Sequence, residues 1–301
     1  MIYKERTESI NIKIMKSQDA RMDLNKTERQ YFLNQIKGYE GELLFDSFTK
    51  NLVCDCLILN DLLLQFNNTT FQIDSLLVTA EVLYLFEVKN YEGDFYYEAD
   101  RLYKKPKIER NNPLIQLHRS ESLLRQLLQS LGFTIPIEAY VVFVNPGFTL
   151  YQAPLHKQII FPTQIISFFQ NLNKSNAKIN NKHKVLAEKL VSMHMQESPY
   201  GQLLEYTYEQ LRKGICCVEC RSLTVEIVGR NCVCSRCGHE ELVNDAVLRS
   251  TDELKLLFPE NKITTNLVLE WCCVVESKKR IQRILDKNYQ IVRNNRWTYY
   301  E

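Results

Sequence analysis

Apolar and polar positions along the chain change period several times, and the changes mark out elements. Residues 1–23 are mostly polar and read as a tail or a loosely docked segment. From Leu24 to about Asn51 the apolar positions take a helical spacing, with Leu43, Leu44, Phe45 and Phe48 following Gly38 and Gly41. Three strand-like runs come next, over 54–66, 70–79 and 82–88, rich in β-branched, Leu or aromatic residues and separated by polar clusters. Residues 94–97 add a short strand. Residues 113–131 form an amphipathic helix with Leu117, Leu124, Leu127 and Leu128 on one side. A buried strand over 135–144 ends at the turn Asn145-Pro146-Gly147, and a weaker strand (158–161) and a helix (163–172) follow.

The Asn- and Lys-rich stretch 171–184 is the best domain boundary. Helices are expected over 184–195 and 200–213, a cysteine-rich module over 215–243, and helices followed by a hairpin over 244–301. No internal repeat or low-complexity tract is evident.

Composition narrows the class. The 301 residues are 45% hydrophobic and include 14 Phe and 16 Tyr, too many for a disordered chain. No apolar run reaches the ~20 residues that cross a bilayer. The charged N-terminus has no signal-like apolar core, which argues against secretion, and the reduced cysteines that a zinc site needs point to a cytoplasmic protein with no membrane partner. A net charge of +2 names no partner by itself. Of ten cysteines, six (Cys216, Cys217, Cys220, Cys232, Cys234, Cys237) fall within 22 positions, which points to metal binding rather than a disulfide framework. Cys54, Cys56, Cys272 and Cys273 sit in apolar runs and read as small core residues.

The densest candidate chemistry lies at 71–90. The run 82–86 is continuously apolar, as in a strand buried on both faces, and it ends in Glu87-Val88-Lys89, which puts Glu87 and Lys89 on one face. A carboxylate at the end of a buried strand costs several kcal/mol unless it is solvated, paired or metal-bound. Asp74 lies on the neighbouring run, and a hard divalent cation would relieve the repulsion between the two carboxylates. Metal-assisted phosphodiester hydrolysis fits: Asp74 and Glu87 as Mg²⁺ ligands, Lys89 orienting water or offsetting charge on phosphate. A glycosidase-like carboxylate pair leaves Lys89 without a role. An exposed strand alternating Glu and Lys would read the same way on spacing alone, although the apolar run before Glu87 does not alternate.

Four blocks in order, Lys37-Gly38-Tyr39-Glu40-Gly41-Glu42, Gln72-Ile73-Asp74, Phe86-Glu87-Val88-Lys89-Asn90-Tyr91-Glu92-Gly93 and Asn112-Pro113-Leu114-Ile115-Gln116, resemble the nuclease-related domain (NERD) family. That family is similar to PD-(D/E)xK nucleases. The resemblance covers roughly residues 38–169. It implies an α/β, restriction-endonuclease-like mixed sheet flanked by helices, and a metal-dependent deoxyribonuclease using Mg²⁺ or Mn²⁺. By position it makes Glu42 the helix-borne acid that completes the metal site with Asp74 and Glu87, Lys89 the catalytic lysine, and Gln116 a contact to substrate or water. Glu42 as a solvated helix residue and Gln116 as a packing residue are the alternatives. Ile73 stands where some such nucleases carry proline.

Cys217-x2-Cys220 and Cys234-x2-Cys237 are separated by 13 residues, a spacing that suits two turn-borne thiolate pairs closing a structural Zn²⁺ site; it resembles a zinc ribbon. Cys216 and Cys232 are alternative ligands, and His239 reads as solvated. Further on, Thr264 or Thr265 and Ser277 can cap two helices, over 267–274 and 281–287, ahead of a hairpin around Asn294-Asn295. Residues 278–296 carry seven cations against Asp286 alone. The pattern resembles a helix-turn-helix or winged-helix module in which Lys279, Gln282, Arg283, Lys287, Arg293 and Arg296 contact DNA; a solvated basic face on a helical cap is the other reading.

The expected organisation is therefore an N-terminal tail and helix (1–37), a NERD domain (38–175), a helical linker (176–213), a zinc ribbon (214–243) and a small winged-helix-like module (244–301). A DNA nuclease is expected, with a non-catalytic DNA-binding or regulatory protein as the alternative.

Overall fold

In the computed structural model, which describes residues 1–155, 158–196, 204–294 and 297–301, the chain opens with β1 (Ile2–Lys4), α1 (Ile10–Arg21) and α2 (Lys26–Thr49). Then come β2 (Leu57–Phe66), β3 (Thr69–Val78), β4 (Leu83–Lys89), β5 (Gly93–Glu98), β6 (Arg101–Lys104), β7 (Ile108–Arg110) and α3 (Pro113–Ser130). They are followed by β8 (Ile137–Phe143), β9 (Phe148–Tyr151), β10 (Ile159–Ile160), α4 (Ile165–Leu172) and α5 (Asn181–Ser192). The remainder holds β11 (Val225–Val228), β12 (Asn231–Cys234), β13 (Glu240–Leu242), α6 (Val243–Leu257), α7 (Thr265–Cys272), α8 (Lys278–Asn288), β14 (Ile291–Asn294) and β15 (Trp297–Tyr300). Two compact units result: Met1–Glu8 with Asn34–Gly201, and Ser9–Leu33 with Gln202–Glu301.

The first unit is a mixed α/β fold. Its main sheet has the order β1-β2-β3-β4-β8-β10. β2, β3 and β4 form an antiparallel meander, while β1, β8 and β10 join in parallel. Asn67 and Asn68 close the β2–β3 hairpin with φ of 47° and 59°, the left-handed pair that a two-residue primed turn requires. β4 is central, with β3 on one side and β8 on the other, which is why its sequence is apolar at successive positions. Leu83 and Leu85 pack with Leu117, Leu124 and Leu127 of α3, and Phe86 packs on the opposite face with Phe45 of α2 and Phe169 of α4. Glu87 and Lys89 continue the Leu83–Leu85 face, the α3 side. A second sheet, β7-β6-β5-β9, follows β4 in the chain.

The second unit holds the antiparallel sheet β11-β12-β13, helices α6, α7 and α8, the β14–β15 hairpin, and α1. Thr264 and Ser277 cap α7 and α8 as the sequence suggests, but α7 ends at Cys272, short of 274, where Cys273 turns to φ 56°.

The N-terminal segment corrects the sequence reading. Residues 1–23 are not a loose tail: β1 pairs with β2, and α1 buries Ile12, Ile14 and Met15. Its last residue, Arg21, is fully buried. The guanidinium lies 4.0 Å over the Trp271 ring, bonds Glu253 at 2.6 and 3.1 Å, and donates to the carbonyls of Arg212 and Gly214. Burial is possible because every face of the charge is met. The helix expected over 200–213 is a second correction: residues 204–213 contain turns and no helix, and 200–203 lie outside the described residues. No helix among the described residues is long and apolar enough to cross a membrane.

Candidate functional site

The β3–β4 ladder ends at the Ser75–Phe86 pair, so Asp74 and Glu87 face each other one step beyond it. Freed from the ladder, the Val88 N–H donates to Asp74 Oδ2 at 2.7 Å and fixes that carboxylate at the strand end. Asp74 is 7% exposed and Glu87 1%. Lys89 Nζ donates to Glu87 Oε1 at 2.6 Å and to Gln116 Oε1 at 3.2 Å. Gln116 reaches this point because Asn112 caps α3 and Pro113 occupies its first turn, an N-terminus fixed by the Asn-Pro pair. The sequence thus brings Asp74, Glu87, Lys89 and Gln116 to one place.

Electrostatics follow from burial. Desolvation, reinforced by the Asp74 charge, pushes Glu87 up to about 8. Desolvation also raises Asp74, against the pull of Lys89. For Lys89 burial acts downward, but the Glu87 and Asp74 carboxylates outweigh it and hold the ammonium up at about 12. Lys89 is therefore a cation and not a base in this arrangement.

Glu42 is placed differently. It comes from α2, where desolvation and then Asp74 push it up to about 8, but its Oε2 accepts from Arg6 Nη1 at 2.5 Å. The same guanidinium bonds Asp46 at 2.9 and 3.2 Å and the Asp74 carbonyl at 2.7 Å, and its side chain is 1% exposed. Among the described residues, Glu42, Asp74 and Glu87 do not gather their oxygens into one set within 4.8 Å. Sequence reasoning missed Arg6 and Asp46, which no motif marks. Arg6→Ala would strand the buried Asp46 and cost about 3 kcal/mol, the usual penalty for removing one partner of a buried pair. Urea unfolding of the full chain measures it; an unchanged midpoint would contradict the pairing.

The two glycines of the first block do different work. A Cβ on Gly41 would lie 2.4 Å from Asn90 Cβ, whereas one on Gly38 meets nothing within 4 Å. Asn90 needs that approach: its Nδ2 donates to the Lys37 carbonyl at 2.7 Å and its Oδ1 accepts from Asn145 at 2.9 Å, tying α2 to the residue after Lys89 and to the turn after β8. Gly41→Ala should cost about 1–3 kcal/mol through overpacking. Gly38→Ala, in the same helix, should gain about 0.5–1 kcal/mol from the lost backbone freedom. Thermal melts of the two variants test the contrast, and equal shifts would refute it.

A second constellation lies in the other unit. The Sγ atoms of Cys217, Cys220, Cys234 and Cys237 all lie within 4.8 Å of one another, with Cys217–Cys237 at 3.6 Å and Cys220–Cys234 at 3.5 Å. Edges of that length match a tetrahedron of thiolates around one ion at about 2.3 Å. The backbone N–H of Cys237 lowers the Cys234 thiol, while the neighbouring sulfurs raise Cys237. The cluster, on turns flanking β11-β12-β13, could bind zinc and is compatible with a zinc ribbon. Cys216 and Cys232 are buried outside the four, and His239 offers no ligand to it.

On α8, Ile281, Ile284 and Leu285 are buried while Lys279, Gln282, Arg283 and Lys287 are exposed, as is Arg293 on β14. Arg296 lies outside the described residues.

No curated protein and no solved structure matches the chain. Residues 37–144, which carry Gly41, Glu42, Asp74, Glu87, Lys89, Asn90 and Gln116, match the family model of the nuclease-related domain (NERD).

Proposed function

We propose that the protein is a metal-dependent nuclease that hydrolyses DNA phosphodiester bonds at the end of β3 and β4. The observation that carries this reading is the buried Asp74–Glu87 pair with Lys89 and Gln116 bonded beside it, inside the segment matching the nuclease-related domain. Hard carboxylate oxygens suit Mg²⁺ or Mn²⁺, and the upward shifts of Asp74 and Glu87 are those of buried acids short of positive charge. Asp74 and Glu87 would hold the metal, with Glu42 as the third acid; Arg6 is the contact that Glu42 has to exchange to reach it. When bound, the ion supplies a Lewis acid for the phosphate and a more acidic water. Lys89 holds its charge beside the phosphate and offsets the negative charge that develops there. Gln116, bonded to Lys89, keeps the ammonium aimed and can hold the attacking water through its amide. The restriction-endonuclease-like reading of the main sheet belongs to this proposal.

In the other unit, the four cysteines would hold a structural Zn²⁺. Helices α6, α7 and α8 with the β14–β15 hairpin support a winged-helix-like reading, in which Lys279, Gln282 and Arg283 would enter a DNA groove, Arg293 and Arg296 would grip the backbone, and Lys287 would add a further DNA contact. Supercoiled, linear duplex and single-stranded DNA, each with Mg²⁺ or Mn²⁺, form the test; no cutting of any of them in either metal would defeat the proposal. One observation favours a second reading, a non-catalytic DNA-binding or regulatory protein: the Arg6 guanidinium already neutralises Glu42 and Asp46.

A further inference from the structure

The second sheet carries chemistry that the nuclease site does not use. One face of it packs Phe95, Tyr97, Leu102 and Phe148 into the core. On the other face, Tyr96 of β5 stands in register with Tyr103 of β6 on one side and Tyr151 of β9 on the other, so three tyrosines form a row across three adjacent strands. The Tyr96 and Tyr103 rings stack with centroids 5.3 Å apart and planes 19° from parallel. Lys105 Nζ lies 3.9 Å over the Tyr151 ring, and Tyr151 is 45% exposed. Beside the row runs an open groove of about 950 Å³ lined by Tyr96, Glu98, Lys105, Pro106, Tyr151 and Gln152.

The β6–β7 hairpin is basic, while Asp94 and Glu98 of β5 and Asp100 after it are acidic. Residues 101–110, which form β6, β7 and their turn, carry Arg101, Lys104, Lys105, Lys107 and Arg110 against Glu109, a local balance of +4 in ten residues. The ion pairs there are long and exposed: Arg101–Glu109 at 3.7 Å, Lys105–Asp94 and Lys107–Glu98 at 3.8 Å. Pairs of that kind contribute little and exchange readily for phosphate. Gln152 lines a second hollow of about 410 Å³ together with Asn112, Ile115 and His118, and the last two flank Gln116 on the first turns of α3.

We propose that this face binds single-stranded nucleic acid, with bases stacked on the Tyr103–Tyr96–Tyr151 row and phosphates on the basic β6–β7 hairpin, and leads the strand past Gln152 and α3 to Lys89. The delivery step rests on the nuclease reading; the binding does not. A ring row accepts any base because every base offers a π-face, while the cations track the backbone, so the site is sequence-tolerant and salt-sensitive.

Anisotropy titration of labelled oligo(dT) and oligo(U) against the full-length Lys89→Ala protein, without added divalent metal, separates binding from cutting. Tyr151→Ala and Tyr96→Ala should each weaken binding by about fivefold or more, the usual loss of one stacked base, and Tyr151→Phe should not. Lys105→Glu with Lys107→Glu, both exposed, should weaken binding and flatten its salt dependence without any risk to the core. Wild-type affinity in the folded Ala and Glu variants overturns the proposal, as does tight binding of a neutral polysaccharide with no salt dependence. If oligonucleotides do not bind but duplex DNA is cut with Mg²⁺, the platform fails and the nuclease reading stands. Binding that depends on the tyrosines, with no cutting by the wild type, does the reverse.

Discussion

Lys89→Ala is expected to reduce Mg²⁺-dependent DNA cleavage by about 10²-fold or more, the cost of removing one preorganised stabiliser of developing charge. Among the described residues the ammonium is the one side-chain cation bonded to Glu87, and the neighbouring carboxylates keep it charged against the pull of burial. The loss should be catalytic and not structural. Lys89 sits at the last position of β4, and its removal leaves Glu87 without a counter-ion. Because burial already pushes Glu87 up to about 8, the acid can take up a proton instead of forcing the strands apart. Asp74→Asn, which keeps an oxygen for the Val88 N–H, should abolish cutting by weakening metal binding with equally little effect on the fold. Parallel cleavage assays and thermal melts decide the matter: wild-type rates in both variants would remove these residues from the chemistry, and loss of the melting transition would assign them to the scaffold.

The part of the candidate site around β4 was legible because it is local. Asp74 and Glu87 are joined through one antiparallel pair, Lys89 is two residues further on the same strand, and an Asn-Pro cap announces the helix of Gln116. The meander β2–β3–β4 was readable for the same reason, through apolar runs separated by polar turns. Arg6 was not: it meets Glu42 and Asp46 across separations of 36 and 40 residues, from a stretch whose polarity resembles a tail. Arg21 hides in the same way, since a charged residue signals exposure until its partners Glu253 and Trp271 are known. β6 and β7 are three or four residues long and rich in Lys and Arg, so neither period nor propensity reveals them. The spacing of the cysteine pairs, by contrast, selected the four that cluster, and the register of β12 explains why Cys232 is outside: it pairs with Ile227 and Glu241 in mid-sheet, while Cys217, Cys220 and Cys237 lie off the strands and Cys234 at a strand end.

Stripping metal from the four-cysteine cluster should unfold the second unit and spare the first. Cys217, Cys232 and Cys234 belong to the same apolar cluster as Ile14, Val225, Val243 and Trp271, so disorder at the thiolates reaches the centre of that core. Structural zinc contributes on the order of 10–16 kcal/mol. A domain's whole net stability is about 5–15 kcal/mol, so little remains once the ion is gone. Both tryptophans, Trp271 and Trp297, are in this unit, which makes their emission a selective probe. A strong chelator should release one zinc per chain and shift that emission to the red, and Cys220→Ser should do the same without chelator. The first unit has its own core on both faces of the main sheet, built from residues such as Leu85, Phe86 and Phe45. Amide exchange in β3 and β4, the Val88 N–H included, should therefore stay slow throughout. Rapid exchange there on chelation would show that the two units fold as one, and an unshifted tryptophan emission after complete metal release would show that the cysteines hold the module together without an ion.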